Sequence, residues 1–260
     1  MIQFDVLTLF PEVFEAFIKT SIIGKAVTSE KIHIHIHNIR DFAAGKHRMT
    51  DDVPYGGGSG MVMKPEPLVH AIKSLSTGGK GERVILLSPQ GRPFRQEVAK
   101  ELVAFERLIL VCGRYEGVDE RVKDIAIDAE ISIGDYILTG GEVAAMVLID
   151  ATARLVPGVL GDTYSSVEES FSEGLLEYPH YTRPREFMDR RVPSVLLSGD
   201  HQKIARWRRR KALEQTFMKR QDLLNSARLS EEELALIEQW KQEAGPRKES
   251  VGTTEDGEGL

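Results

Sequence analysis

The chain has 260 residues, of which 41% are hydrophobic and 28% charged, a balance that suits a folded globular protein and excludes low-complexity and fibrous classes. No apolar run approaches the ~20 residues that cross a bilayer, and Met1-Ile-Gln-Phe-Asp5 lacks a basic start before an apolar stretch, so a cytoplasmic protein with no membrane partner is expected. A formal charge of −6 argues against a uniformly basic nucleic-acid coat and leaves only a local basic face as a route to phosphate.

Ile2 to Phe10 reads as an apolar strand, and Pro11-Glu-Val-Phe starts a helix with proline in its first turn, where the missing N–H has no partner to lose. Lys31 to His37 alternates strictly, setting Ile32, Ile34 and Ile36 on one face and His33, His35 and His37 on the other. Three histidines on one face are compatible with zinc. A half-exposed strand with its polar side outward is favoured, because no nearby cysteine or carboxylate completes a site. Asp41 to Met63 is a long, polar, glycine-rich loop that matches neither the phosphate loop nor the dinucleotide fingerprint. Its Lys46, His47 and Arg48 beside Asp51 and Asp52 make it a candidate substrate contact.

A helix over Pro65–Ser76 and a buried strand over Arg83–Ser88 follow, the strand ending in the turn Pro89-Gln-Gly91. Phe94 to Phe105 is helical. Leu108 to Cys112 is an apolar run that stops at Gly113, and its lone cysteine reads as a small core residue. Val118–Ile125 is a short helix and Ile127–Ile133 a further strand. Strands alternating with helices argue for an α/β fold, a mostly parallel sheet with helices on both faces. The organising stretch runs from Leu108 to Glu142. Gly113, Gly117, Gly134, Gly140 and Gly141 there let the backbone approach a flat, polar ligand with no Cβ in the way, at strand ends where such sheets hold small ligands.

Gly140 to Leu155 is a helix apolar nearly all round, which requires burial in the core or in a subunit interface. Arg154 in its last turn either complements the helix dipole or presents a charge to a pocket. Pro157 ends the helix. The expected organisation is an α/β domain over 1–160, a linker over 161–170, a small helical domain over 171–246 and a disordered acidic tail over 247–260. Within the helical domain, Phe171 to Pro184 mixes aromatics, prolines and Arg183 as a shaped surface. Asp200 caps a helix through Phe217. His201–Arg220 holds eight Lys or Arg against Glu214 alone, and its Arg206-Trp-Arg-Arg-Arg-Lys211 cluster fits either a solvated face or an RNA contact. Ser230 and Glu233 form a capping box for a last helix to Ala244.

Five blocks in order are Leu87-Ser-Pro-Gln-Gly91, Cys112-Gly-Arg-Tyr-Glu-Gly-Val-Asp-Glu-Arg121, Ser132-Ile-Gly-Asp-Tyr-Ile-Leu-Thr-Gly-Gly-Glu142, Pro157-Gly-Val-Leu-Gly161 and Tyr181-Thr-Arg-Pro184. Through them the chain closely resembles the bacterial tRNA (guanine-N1)-methyltransferases of the SPOUT superfamily, over about residues 1–240. The resemblance implies a trefoil-knotted cofactor domain, a homodimer, and transfer of a methyl group from S-adenosyl-L-methionine to N1 of the guanosine immediately 3′ of the tRNA anticodon. It implies cofactor contacts at Leu86, Leu87, Ser88 and Pro89, at Gly113, Tyr115, Glu116 and Gly117, and at Ser132, Ile133, Gly134, Tyr136, Ile137, Leu138, Gly140 and Gly141. It places a proton-accepting carboxylate at Glu169, where the family pattern has aspartate, with Glu168 and Glu173 close by. Arg154 becomes the catalytic cation. Expected RNA contacts are Asp51, Arg183, Arg208, Arg209 and Arg210. Magnesium dependence is also implied, with no acidic cluster of ligand spacing to place it. The readings that compete are a SPOUT ribose 2′-O-methyltransferase, a non-catalytic RNA-binding module and a nicotinamide enzyme, the last weakened by the missing glycine fingerprint.

Overall fold

The computed structural model describes residues 1–160, 170–171 and 174–244. It divides into two compact units, Met1–Val167 and Glu168–Leu260. In the first unit, strand β1 (Ile2–Thr8) leads into a 3-10 turn at Pro11–Phe14, helices α1 (Glu15–Lys19) and α2 (Ser21–Thr28), and strand β2 (Ile32–Asn38). The short strands β3 (Asp51–Asp52) and β4 (Val62–Met63) precede helix α3 (Pro65–Leu75). Then come β5 (Glu82–Pro93), α4 (Gln96–Leu102), β6 (Arg107–Cys112), α5 (Glu120–Ala126), β7 (Ala129–Ser132) and α6 (Glu142–Ala153).

Among the described residues, five strands form one sheet in the order β2-β1-β6-β5-β7, and every pairing in it is parallel. Alternation along each strand feeds two cores. Phe4, Val6, Ile85, Leu108 and Leu110 face Ile23, Val98 and Leu148 from α2, α4 and α6. Leu7, Leu86, Ile109 and Val111 face Leu68, Ile72 and Val122 from α3 and α5. A strand whose two faces are both covered has no polar side to show, which is why Leu108–Cys112 reads as one continuous apolar run. Cys112 is fully buried in the first core, and burial pushes its thiol well above the ordinary range. That environment is wrong for a nucleophile.

Several boundaries differ from the sequence reading for local reasons. The first helix is broken: Thr20 is extended at φ −115° and ψ 156°, so α1 and α2 are separate. The helix expected from Phe94 starts at Gln96, because the Phe94 amide donates to Ser132 O at 2.7 Å and so remains attached to the sheet. The loop expected over Asp41–Met63 is partly ordered by a 3-10 turn at Ile39–Phe42 and by the β3–β4 pair, in which Asp51 faces Met63. Helix α6 is buried on its inner side only: Ala145, Leu148, Ile149 and Ala153 are inaccessible, while Val143 and Val147 are 53% and 41% exposed.

The second unit carries a hairpin of β8 (Glu186–Phe187) and β9 (Arg190–Arg191), then α7 (His201–Lys219), α8 (Gln221–Leu224) and α9 (Glu231–Ala244). Asp200 caps α7 by accepting the Lys203 amide at 3.0 Å. Ser230 and Glu233 exchange their capping bonds at 2.9 and 3.2 Å. Leu175, Leu213, Phe217 and Ile237 form this unit's own small core, with the Phe217 and Trp240 rings 5.6 Å apart.

Candidate functional site

At the carboxyl ends of β5, β6 and β7 lies a cleft of about 350 Å³. Its walls are three backbone excursions. The first comes from β5, where Leu87 and Arg92 both register against Ile131 of β7, so the four residues Ser88–Gly91 leave the ladder as a wide bulge. Gly91 permits this: a Cβ there would sit 2.4 Å from Glu130 C and Ile131 N. The second is the turn Gly113–Gly117 after β6, with Tyr115 at φ 60° and Gly117 at φ 126°. The third is the loop from Ile133 to Gly141 after β7. Its Gly141 amide donates to Gly113 O at 2.9 Å and ties the last two loops together. A Cβ on Gly141 would lie 2.8 Å from Cys112 Cα, so that tie requires glycine.

Every residue expected to contact the cofactor lines this one cleft: Leu86–Pro89, Gly113, Tyr115–Gly117, Ser132–Gly134, Tyr136–Leu138, Gly140 and Gly141. The lining mixes apolar side chains at Leu86, Leu87, Ile133 and Leu138 with backbone amides and carbonyls. That mixture is the general composition of a pocket for a small organic ligand. A Cβ on Gly113 would meet Leu87 O at 3.7 Å, ordinary contact, so protein packing alone does not demand glycine there.

The cleft also contains residues the sequence reading missed. Arg114 and Glu142 form an ion pair at 3.0 Å in which Glu142 is 2% exposed. Thr8 Oγ1 donates to the same carboxylate at 2.8 Å. Arg114 also donates to Thr139 O at 3.1 Å, and its guanidinium lies 4.4 Å from the centre of the Phe10 ring. Glu142 opens α6, where a carboxylate complements the helix dipole. The group therefore locks the β6 turn, the start of α6 and the end of β1. Gly140 makes room for it, since a Cβ there would meet Arg114 Nε at 2.2 Å. Lys123 on α5 also lines the cleft and holds Gln90 of the bulge at 2.9 Å and Glu120 at 3.1 Å. The signal for Arg114 was its place between two glycines of a motif. Lys123 gave none, because its role depends on a strand pairing.

The expected RNA contacts differ in their surroundings. Arg183 and Arg210 are exposed. Arg209 is half-buried and donates to Glu233 at 2.6 and 3.2 Å and to Arg228 O at 3.1 Å. Its guanidinium holds the Glu233 carboxyl below the usual range. Arg208 lies 4.8 Å from the centre of the Tyr178 ring. Asp51 is half-buried in β3, in the first unit. Arg154 is the half-buried C-cap of α6, its amide donating to Asp150 O at 3.3 Å.

The family model described as tRNA (Guanine-1)-methyltransferase TrmD matches residues 2–226. The chain belongs to that family. It is 56% identical over 243 residues to the tRNA (guanine-N(1)-)-methyltransferase of Dictyoglomus turgidum, covering 94% of this chain and 98% of that protein. A relative with the same description from Geotalea uraniireducens is 55% identical with the same coverage. One from Brevibacillus brevis is 53% identical over 93% of this chain and 99% of its own length.

Against the family pattern, the residues expected to supply the base, Glu169 with Glu168 and Glu173 as neighbours, lie outside the described residues, as do most of the expected linker and all of the acidic tail. Among the described residues no group of three or more His, Cys, Asp or Glu side chains is placed to hold a metal ion. The His33, His35 and His37 face is therefore not such a group. His37 is instead paired with Asp5 at 2.7 Å. No helix among the described residues is long and apolar enough to cross a membrane.

Proposed function

We propose that this protein methylates N1 of the guanosine immediately 3′ of the anticodon in tRNA, taking the methyl group from S-adenosyl-L-methionine. The observation that carries the reading is the convergence of three glycine-bearing loops on one cleft, at adjacent parallel strand ends, in a chain of this family. The loop backbones would hold the adenosine and methionine parts, with Gly113 and Gly141 leaving room for close approach. Bound there, S-adenosyl-L-methionine would supply a methyl group already activated by its sulfonium.

What remains for the protein is alignment and proton removal. N1 of guanine carries a proton that must leave for its electron pair to attack carbon. Glu169 takes that proton, and Arg154 offsets the negative charge that spreads toward O6. The locked Arg114–Glu142 pair holds the β6 turn in shape while this happens. The protein acts as a homodimer, for which the exposed Val143 and Val147 of α6 provide an apolar stripe.

The test is methyl transfer from labelled S-adenosyl-L-methionine to unmodified tRNA, followed by nucleoside analysis. Label in 1-methylguanosine from the anticodon loop is expected. Label on a ribose 2′-oxygen would instead support the ribose methyltransferase reading. Binding of tRNA without binding of the methyl donor would leave an RNA-binding module.

A further inference from the structure

The β8–β9 hairpin has no place in the second unit's core. Phe187 is 64% exposed and Met188 79% exposed. Its two strands have two residues each, joined by a tight turn in which Met188 and Asp189 take φ of 48° and 58°. A left-handed backbone is disfavoured for residues with a Cβ, and a hairpin this short is marginal in water. Large apolar side chains displayed on such a turn gain nothing from burial within the unit.

The register sorts the side chains by face. Phe187 is directly opposite Arg190, so the ring and the guanidinium stem from the same side of the ribbon. On the other side Glu186 faces Arg191 and pairs with it at 2.8 Å. Among the described residues Arg190 has no ion-pair partner. The remaining bond of the hairpin, Val192 N–H to Arg185 O at 3.0 Å, continues the ribbon toward a further exposed cation. One face therefore presents an aromatic ring with an uncommitted cation beside it.

We infer that the Phe187–Arg190 face of this hairpin is a docking surface for an unpaired nucleotide of the tRNA, the base stacking on Phe187 and the phosphate meeting Arg190. This rests on the proposed tRNA substrate and adds to it a contact outside the basic helix α7. An aromatic ring accepts the face of any base, whereas its neighbouring guanidinium selects for an anionic backbone. An acidic partner surface would satisfy Arg190 but leave Phe187 without a flat apolar face to cover it.

The experiment measures tRNA affinity of the full-length chain at fixed salt, together with its mass in solution and its affinity for S-adenosyl-L-methionine. Phe187→Ala should weaken tRNA binding about tenfold, the typical effect of removing one stacked base contact. Phe187→Trp should restore it. Arg190→Gln should reduce the salt dependence of binding by roughly one counterion. Donor affinity and mass should stay unchanged in all three. The inference is overturned if Phe187→Ala binds tRNA within about twofold of the unaltered chain, if Trp is as poor as Ala, or if the variant changes the mass, which would make the hairpin a protein–protein contact. Failure of the unaltered chain to bind tRNA would overturn the substrate reading along with it.

Discussion

Asp5 sits in the middle of β1 and is 1% exposed, yet it is charged. Burial pushes its carboxyl upward, but hydrogen bonds from His37, Arg107 and Gln3 outweigh that and hold it at about 2. Because the folded value lies below the ordinary 3.8, the folded state binds its proton more weakly than the unfolded chain. The resulting stability is present above about pH 4 and is lost as pH falls toward 2. The difference corresponds to roughly 2 kcal/mol. Asp5→Asn should therefore lower the urea midpoint at neutral pH and flatten its dependence between pH 4 and 2. A variant whose profile still falls as steeply as the parent's there would place the acid sensitivity elsewhere. Glu169 poses a different question at the same scale. Removing a general base commonly slows a reaction by about 10² or more, so Glu169→Gln should cut single-turnover methylation by that order while donor affinity, read by calorimetry, holds. Normal turnover would move the base to Glu168 or Glu173. For Arg154→Ala the same split is expected; a lowered melting temperature with an intact rate would reduce Arg154 to a helix cap.

The elements explain why the cleft exists and why only part of it could be read in advance. Continuous apolar runs at Val84–Leu87 and Leu108–Cys112 read as strands covered on both faces, and the glycines after them marked where backbone can come close. Those local signals made the parallel α/β fold and the glycine loops legible; the remaining cleft residues followed only from the family resemblance. The β5 bulge was not legible, because it arises from the pairing of Leu87 and Arg92 with one residue, Ile131, on a strand some 40 positions later in the chain. Nor was the Arg114–Glu142–Thr8 group, whose members lie 28 and 134 residues apart. Periodicity reports a residue's face, not its long-range partner. The bulge gives the element-scale prediction. A methyl group at Gly91 has no room against the β7 backbone at 2.4 Å, so Gly91→Ala must push β5 from β7 or redraw the loop. Overpacking of this kind costs about 1–3 kcal/mol. Because Ser88 and Pro89 ride on the same loop, weaker donor binding should accompany the lower melting temperature. A variant that melts early yet binds the donor with unchanged affinity would show that the bulge does not shape the cleft.

At the scale of the whole molecule, charge and apolar surface are both unevenly distributed, and each points to a partner. The total of −6 conceals the basic run of α7, so a charge count would have rejected the nucleic-acid reading that local patterning supports. The apolar surface is as telling. Val143 and Val147 stand one helical turn apart on the outer side of α6, at 53% and 41% exposure, and Ile137 on the preceding loop is 83% exposed. An isolated chain gains nothing by displaying these, and a closed two-fold dimer covers one such patch with its copy. In that arrangement the same helix that starts at the buried Glu142 and ends at Arg154 would carry both the cleft wall and the subunit contact, coupling assembly to the site. Val147→Asp places a charge at the middle of the stripe, where burial without a partner is strongly unfavourable. Light scattering should then show the mass falling to that of one chain, with methyl transfer falling in proportion to the fraction dissociated. If Val147→Asp remains a dimer at micromolar concentration, the α6 stripe is not the interface; if it dissociates and keeps full activity, one chain holds a complete site.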